Sequence, residues 1–125
     1  MKHNAGTIFK LIFSIIGTIG TYLFGGWTSL HGILLAFVIT DYISGMVASS
    51  IEGELNSKIG FKGIAKKVTI FVIVAISHLV DEALGTEAVM MAVIYFYLAN
   101  ELLSITENAG RIGIPIPKAL INAVK

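Results

Sequence analysis

Four long apolar stretches limit what this chain can become more than any single motif does. They cover residues 8–24, 27–49, 68–84 and 88–105. A membrane-crossing helix needs roughly 20 largely apolar residues, within a range of about 17–25, and all four come near that length. Backbone groups in lipid must be satisfied within their own segment, so each span is expected to be α-helical. The period-two alternation of a β-barrel is absent.

Composition points the same way. Charged residues make up 14% of the chain, against about 25% in an ordinary soluble domain. A soluble protein of 125 residues with 55% hydrophobic content has too little polar surface to cover its core. This excludes a soluble enzyme, a disordered chain and, with no cysteine, a disulfide scaffold. A net charge of +1 with no basic face argues against nucleic acid as a partner. What remains is an all-α integral membrane protein with four transmembrane helices, short loops, an amphipathic connection and a C-terminal tail, forming a single membrane domain over 1–125. Its first partner is the lipid bilayer.

Lysine placement predicts the orientation. Lys2 and Lys10 mark the N-terminus, and the Gly25-Gly26 junction is uncharged. The 52–67 connection holds Lys58, Lys62, Lys66 and Lys67, and the 81–87 connection is acidic. The 110–125 tail brings Arg111, Lys118 and Lys125. Alternation of this kind is expected of four spans with both termini in the cytoplasm.

The first stretch has a polar stripe, Lys10, Ser14, Gly17/Thr18 and Thr21, at helical spacing. It can span with that stripe against other helices, lie in the interface plane, or act as a cleaved signal peptide. Spanning is the favoured reading, because bulky Tyr22-Leu23-Phe24 stands where a cleavage site is expected. In the 52–67 connection, Gly53, Asn56, Ser57, Gly60 and Gly63 read as loop and cap formers. Ile59, Phe61 and Ile64 alternate with lysines, so this segment is expected to lie along the cytoplasmic leaflet. Its lysines, with Arg111 and Lys118, form a membrane-surface basic set, where each meets anionic headgroups for about 1 kcal/mol. Gly113-Ile114-Pro115-Ile116-Pro117 cannot continue a helix and is expected to be an extended strap. A short tail helix then starts at Lys118.

Ionisable residues inside a span cost about 2.5–3.5 kcal/mol on insertion scales and are functional candidates. Asp41 is the clearest, with Ser44, Gly45 and Ala48 on the same small, polar face. Tyr97, Asn100/Glu101, Ser104 and Asn108 form a second stripe. The stripes can face the interior of one protomer, where Asp41 and Glu101 find Lys, Ser, Thr or Asn partners. Alternatively they mediate self-association and line a water-filled opening between copies. Both readings stay open at the level of sequence.

Other chemistry finds little support. His78, Asp81 and Glu82 share one helical side, but a metal site needs further ligands, and His3 and His31 are isolated. No metal or cofactor is expected. There is no nucleophile elbow, phosphate loop or dinucleotide fingerprint, so the chain is not expected to be an enzyme.

Several motifs are nevertheless recognisable. The run Asp41-Tyr42-Ile43-Ser44-Gly45-Met46-Val47-Ala48 resembles the D-x-x-x-G-x-x-A signature of the toxin secretion/phage lysis holin family. The segment from Asn56 to Lys67 is similar to that family's cytoplasmic connection, and Asp81 falls where the family often places an acid at the helix end. Glu101 to Asn108 resembles E-x-x-S-I-x-E-N, and Gly113 to Lys118 resembles G-[IL]-P-[IV]-P-K. The resemblance covers roughly residues 40–120 and is carried by five motifs in order. It implies a holin, which oligomerises in the host's cytoplasmic membrane and forms lesions. An endolysin or toxin, with which it forms no stable complex, then passes and the cell lyses. Taken with the two stripes, that reading expects helix–helix or pore-facing roles for Asp41, Ser44, Gly45, Ala48, Tyr97, Asn100, Glu101, Ser104 and Asn108. An antiholin regulator is one alternative. A small ion- or proton-coupled transporter using Asp41 and Glu101 is another, but it calls for inverted repeats or broken helices that the sequence lacks.

Overall fold

The computed structural model describes residues 4–123; Lys2, His3 and Lys125 lie outside the described residues. Four long helices follow one another: α1 (Ala5–Phe24), α2 (Ser29–Ile51), α3 (Ser57–Leu84) and α4 (Ala88–Ile112), with a short α5 (Lys118–Ala123) after the proline strap. All four are long and apolar enough to cross a membrane. At 1.5 Å per residue they measure about 30–42 Å, against a hydrocarbon core of about 30 Å.

Local chemistry sets the helix ends. Asn4 accepts from the Thr7 N–H at 2.8 Å and starts α1; Asn56 does the same for α3, accepting from the Ile59 N–H at 2.9 Å. Gly25, Gly85 and Gly113 close α1, α3 and α4 in the left-handed conformation, where a side chain is disfavoured.

The start of α3 corrects the sequence reading. The expected connection over 52–67 is short, because α3 begins at Ser57 and runs 28 residues without a break. Gly60 and Gly63, read as loop formers, are close-approach positions in a helix. A Cβ on Gly63 would sit 3.1 Å from Tyr42 Cε2, and one on Gly60 would lie 3.5 Å from its hydroxyl. That hydroxyl donates to the Gly60 carbonyl at 3.3 Å.

Three helices present seams in which inward residues alternate by three and four. On α2 these are His31, Leu34, Val38, Asp41, Gly45 and Ala48. On α3 they are Gly60, Gly63, Lys67, Ile70, Val74, Ser77 and Asp81, and on α4 Met90, Ile94, Tyr97, Glu101, Ser104 and Asn108. This is the periodicity of left-handed helix packing. The closest pair is α2 with α4, and α3 completes the bundle mainly against α4. Leu34, Val38, Ile70, Val74 and Ile94 form its apolar middle.

Helix α1 stands outside this arrangement. It leans on α3 and has no buried residue. Ser14, Thr18 and Thr21 in its polar stripe turn back on their own helix, each donating to the carbonyl four residues earlier at 2.8 Å. The α1–α2 hairpin is pinned at Gly25, where an added Cβ would collide with the His78 imidazole. Gly25 and Gly26 both have positive φ, 69° and 96°, but nothing lies within 4 Å of a Cβ on Gly26. Gly26→Ala is therefore expected to cost about 1–2 kcal/mol from backbone strain alone. Gly25→Ala should cost about 1–3 kcal/mol more, because the imidazole must leave its seat. Thermal unfolding of the two variants in detergent micelles reads the difference, and equal midpoints would contradict the contact.

Candidate functional site

The polar residues of the three seams meet at one level of the bundle. Lys67 projects from α3 between α2 and α4. Its ammonium bonds both oxygens of Glu101, at 2.8 and 2.7 Å, and also Asp41 Oδ2. Asp41 Oδ1 accepts from the Ser104 hydroxyl at 2.6 Å and from Asn108 Nδ2 at 2.9 Å. The same amide nitrogen reaches the Asp41 carbonyl at 3.1 Å and Ser44 Oγ at 3.0 Å. Side-chain exposure is 5% at Asp41, 2% at Glu101 and 20% at Lys67. Two carboxylates thus share one ammonium, each of the three helices supplying one charge. Bringing three costly charges together offsets their desolvation by mutual attraction.

A second polar layer lies toward the lysine-bearing end. Arg111 donates to Glu52 Oε1 from Nη2 at 2.6 Å and from Nε at 3.2 Å. It also reaches Ser49 Oγ at 3.3 Å and Asn108 Oδ1 at 3.2 Å. The hydrogen bond from Arg111 holds the Glu52 carboxyl below its ordinary value. Asn108 therefore belongs to both layers: its nitrogen serves the buried charges and its oxygen serves Arg111. Gly45 makes room for it, since a Cβ there would meet Asn108 Nδ2 at 3.4 Å.

At the acidic end the three carboxyl and imidazole side chains do separate jobs. Both Asp81 oxygens are engaged at the start of α4. Oδ1 accepts from Thr86 Oγ1 at 2.6 Å and from the Val89 N–H at 3.0 Å, and Oδ2 accepts from the Met90 N–H at 2.8 Å. His78 sits 3.9 Å from exposed Glu82. No cluster suited to holding a metal ion occurs among the described residues.

Of the residues singled out from sequence, the structure gathers Asp41, Ser44, Gly45, Glu101, Ser104 and Asn108 in these layers, with Ala48 buried beside them on α2. Tyr97 is half-buried against the apolar middle. Asn100 is not among them: it is exposed on the outer side of α4. Lys58, Lys62, Lys66 and Lys118 are exposed. Lys67, grouped with them from sequence, corrects that grouping because its helical position turns it inward. Arg111 also departs from a purely headgroup-facing role, since its guanidinium ties α4 to the end of α2. Sequence reasoning passed over His31, which is fully buried. Its Nδ1 accepts from the Thr28 N–H at 3.3 Å, and its ring lies 5.7 Å from Phe24 and 5.2 Å from Trp27, centroid to centroid. Its position three residues before Leu34 on the α2 seam was the available signal.

The bacteriophage holin family profile matches residues 18–125, a range that contains every residue of both polar layers. The chain belongs to the bacteriophage holin family. Among its relatives, a protein of Halalkalibacterium halodurans is 46% identical over 117 residues, covering 89% of this chain and 87% of that one. A protein of Listeria monocytogenes is 52% identical over 109 residues, covering 86% of this chain and 78% of its own length. A protein of Bacillus phage phi105 named a probable holin is 35% identical over 100 residues, covering 79% and 73% respectively. No solved structure matches the chain. Membership agrees with a multi-pass membrane protein, and it places the buried Lys67–Asp41–Glu101 group inside the family-defining region of a holin-family protein.

Proposed function

We propose that this holin-family protein acts as a holin. It accumulates in the bacterial cytoplasmic membrane with all four long helices spanning and both termini in the cytoplasm. It then self-associates and opens lesions through which an endolysin or toxin passes, and the host lyses. The observation that carries this reading is the ion-paired layer of Lys67, Asp41 and Glu101 at the centre of a family-defined helix bundle. The orientation is supported by Lys58, Lys62, Lys66, Arg111 and Lys118 at one end of the bundle and by Glu82 and Glu87 at the other.

A holin needs an inert form and an open form separated by a small free energy. The two polar layers supply the inert form: they hold α2, α3 and α4 together in one protomer. Separating α2 from α4 would free Asp41, Ser44, Ser104 and Asn108 to line water between copies. Equilibria of this kind move on differences of about a few kcal/mol, so single substitutions on the seam should change timing more than expression.

Inducible expression with a co-expressed endolysin tests the reading. Abrupt lysis after a delay is expected. Growth without lysis would overturn it in favour of an antiholin or a transporter. Within the same assay, Gly45→Leu and Asp41→Asn should each shift lysis onset at unchanged membrane levels. Unaltered timing in both would remove the α2 face from the mechanism.

A further inference from the structure

Two charged residues that the polar layers leave out share a depth in the bundle. Lys10 on α1 and Glu107 on α4 are exposed, and neither forms an ion pair among the described residues. The contact of Gly25 with His78 fixes the height of α1. His78 stands eleven residues beyond Lys67, or about 16 Å, and Lys10 lies fifteen residues before Gly25, or about 22 Å back. Lys10 therefore sits about 6 Å from the Lys67 level, on the basic side. Glu107 is six residues past Glu101, which is bonded to Lys67, so it lies about 9 Å from that level on the same side.

The match continues toward the acidic end. Seven residues on from Lys10 is Gly17, with nothing within 4 Å of its Cβ position and with Ser14 and Thr18 flanking it. Seven residues back from Glu107 is Asn100, exposed near mid-bundle with no place in either polar layer. The helices run in opposite directions, so the pairs Lys10–Glu107 and Gly17–Asn100 fall at matching heights on two faces. A helix with no buried residue and an unpaired lysine, and a helix face with an unpaired glutamate and an unplaced asparagine, are complementary in charge, size and register.

We propose that α1 of one copy packs against the outward face of α4 of the next copy, with Lys10 pairing with Glu107 and Asn100 seated against Gly17. The contact joins two different patches, so each copy keeps one of each free and the association propagates head to tail. This deepens the proposed self-association, and it separates two kinds of polar residue. Those on the inner seams hold the protomer together, and those on α1 and outer α4 join protomers.

The chain has no cysteine, so cross-linking is clean. Gly17→Cys and Asn100→Cys single variants, co-expressed and oxidised in membranes, should form a disulfide dimer, and neither variant alone should. The double variant should give a ladder of trimers and larger species. Lys10→Glu should lower the cross-linked fraction several-fold at equal membrane levels, and adding Glu107→Lys should restore it. No cross-linking in the mixture, a double variant that stops at dimers, or no rescue by the reversed pair would each overturn the contact. The readout needs no endolysin, so failure here and failure of the lysis assay are separate results.

Discussion

Lys67→Met should be the most damaging single substitution in this protein. Methionine matches the length of lysine and suits a membrane helix, so packing is largely kept and the charge alone is lost. Asp41 and Glu101, both buried and bonded to the same ammonium, would then face each other without a cation. Removing one partner from a buried ion pair costs about 3–5 kcal/mol, which is large beside the average of about 0.6 kcal/mol for a hydrogen bond between membrane helices. A drop of that size is expected in unfolding titrations in mixed micelles, with premature lysis in the inducible assay. Adding Asp41→Asn and Glu101→Gln to Lys67→Met should recover most of the stability, because neutral side chains can share hydrogen bonds where two carboxylates repel. Wild-type stability in Lys67→Met alone would mean that the charges do not hold the bundle.

Asp41 and Glu101 were legible from sequence because a carboxylate inside an apolar run stands out. Their partner was not. Lys67 is the last of four lysines at the border of the third apolar stretch, and a residue there counts as loop or helix according to where the helix starts. Taking 52–67 as a surface connection hid the spacing Gly60, Gly63, Lys67, Ile70, Val74, which continues the inward seam of α3 by two turns. Glycine misled for a physical reason: in water it marks flexibility, while between membrane helices it marks close approach, here of Tyr42. Asn100 shows how one stripe can hold two directions. Adjacent helical residues point about 100° apart, so Asn100 and Glu101 cannot both face the same partner. With Glu101 on the seam, Asn100 has to look elsewhere. The apolar stretches themselves were the secure part, since length and hydropathy are set by bilayer thickness and do not depend on which face meets which helix.

Asp81→Ala should produce the second-largest loss among the polar contacts, at the opposite end of the bundle. The residue preceding α4, Glu87, makes no side-chain cap, so the first N–H groups of that helix depend on a carboxylate supplied by α3. Asp81 accepts from Val89 and Met90 and also fixes Thr86 in the connecting turn. Loss of a cap costs about 0.5–2 kcal/mol, and here three contacts and the favourable charge at the helix N-terminus go together. About 2–3 kcal/mol is expected for Asp81→Ala, and about half of that for Asp81→Asn, which keeps one acceptor but no charge. Hydrogen exchange should rise first at the Val89 and Met90 amides, because the break is local. Asp81 and Lys67 are fourteen residues apart on α3, about 21 Å along the helix, and share no partner. Their costs should therefore add to within about 0.5 kcal/mol in the double variant. A shortfall well beyond that would show that the two ends of the bundle open as one unit, so that loosening the α3–α4 turn already releases the charged layer.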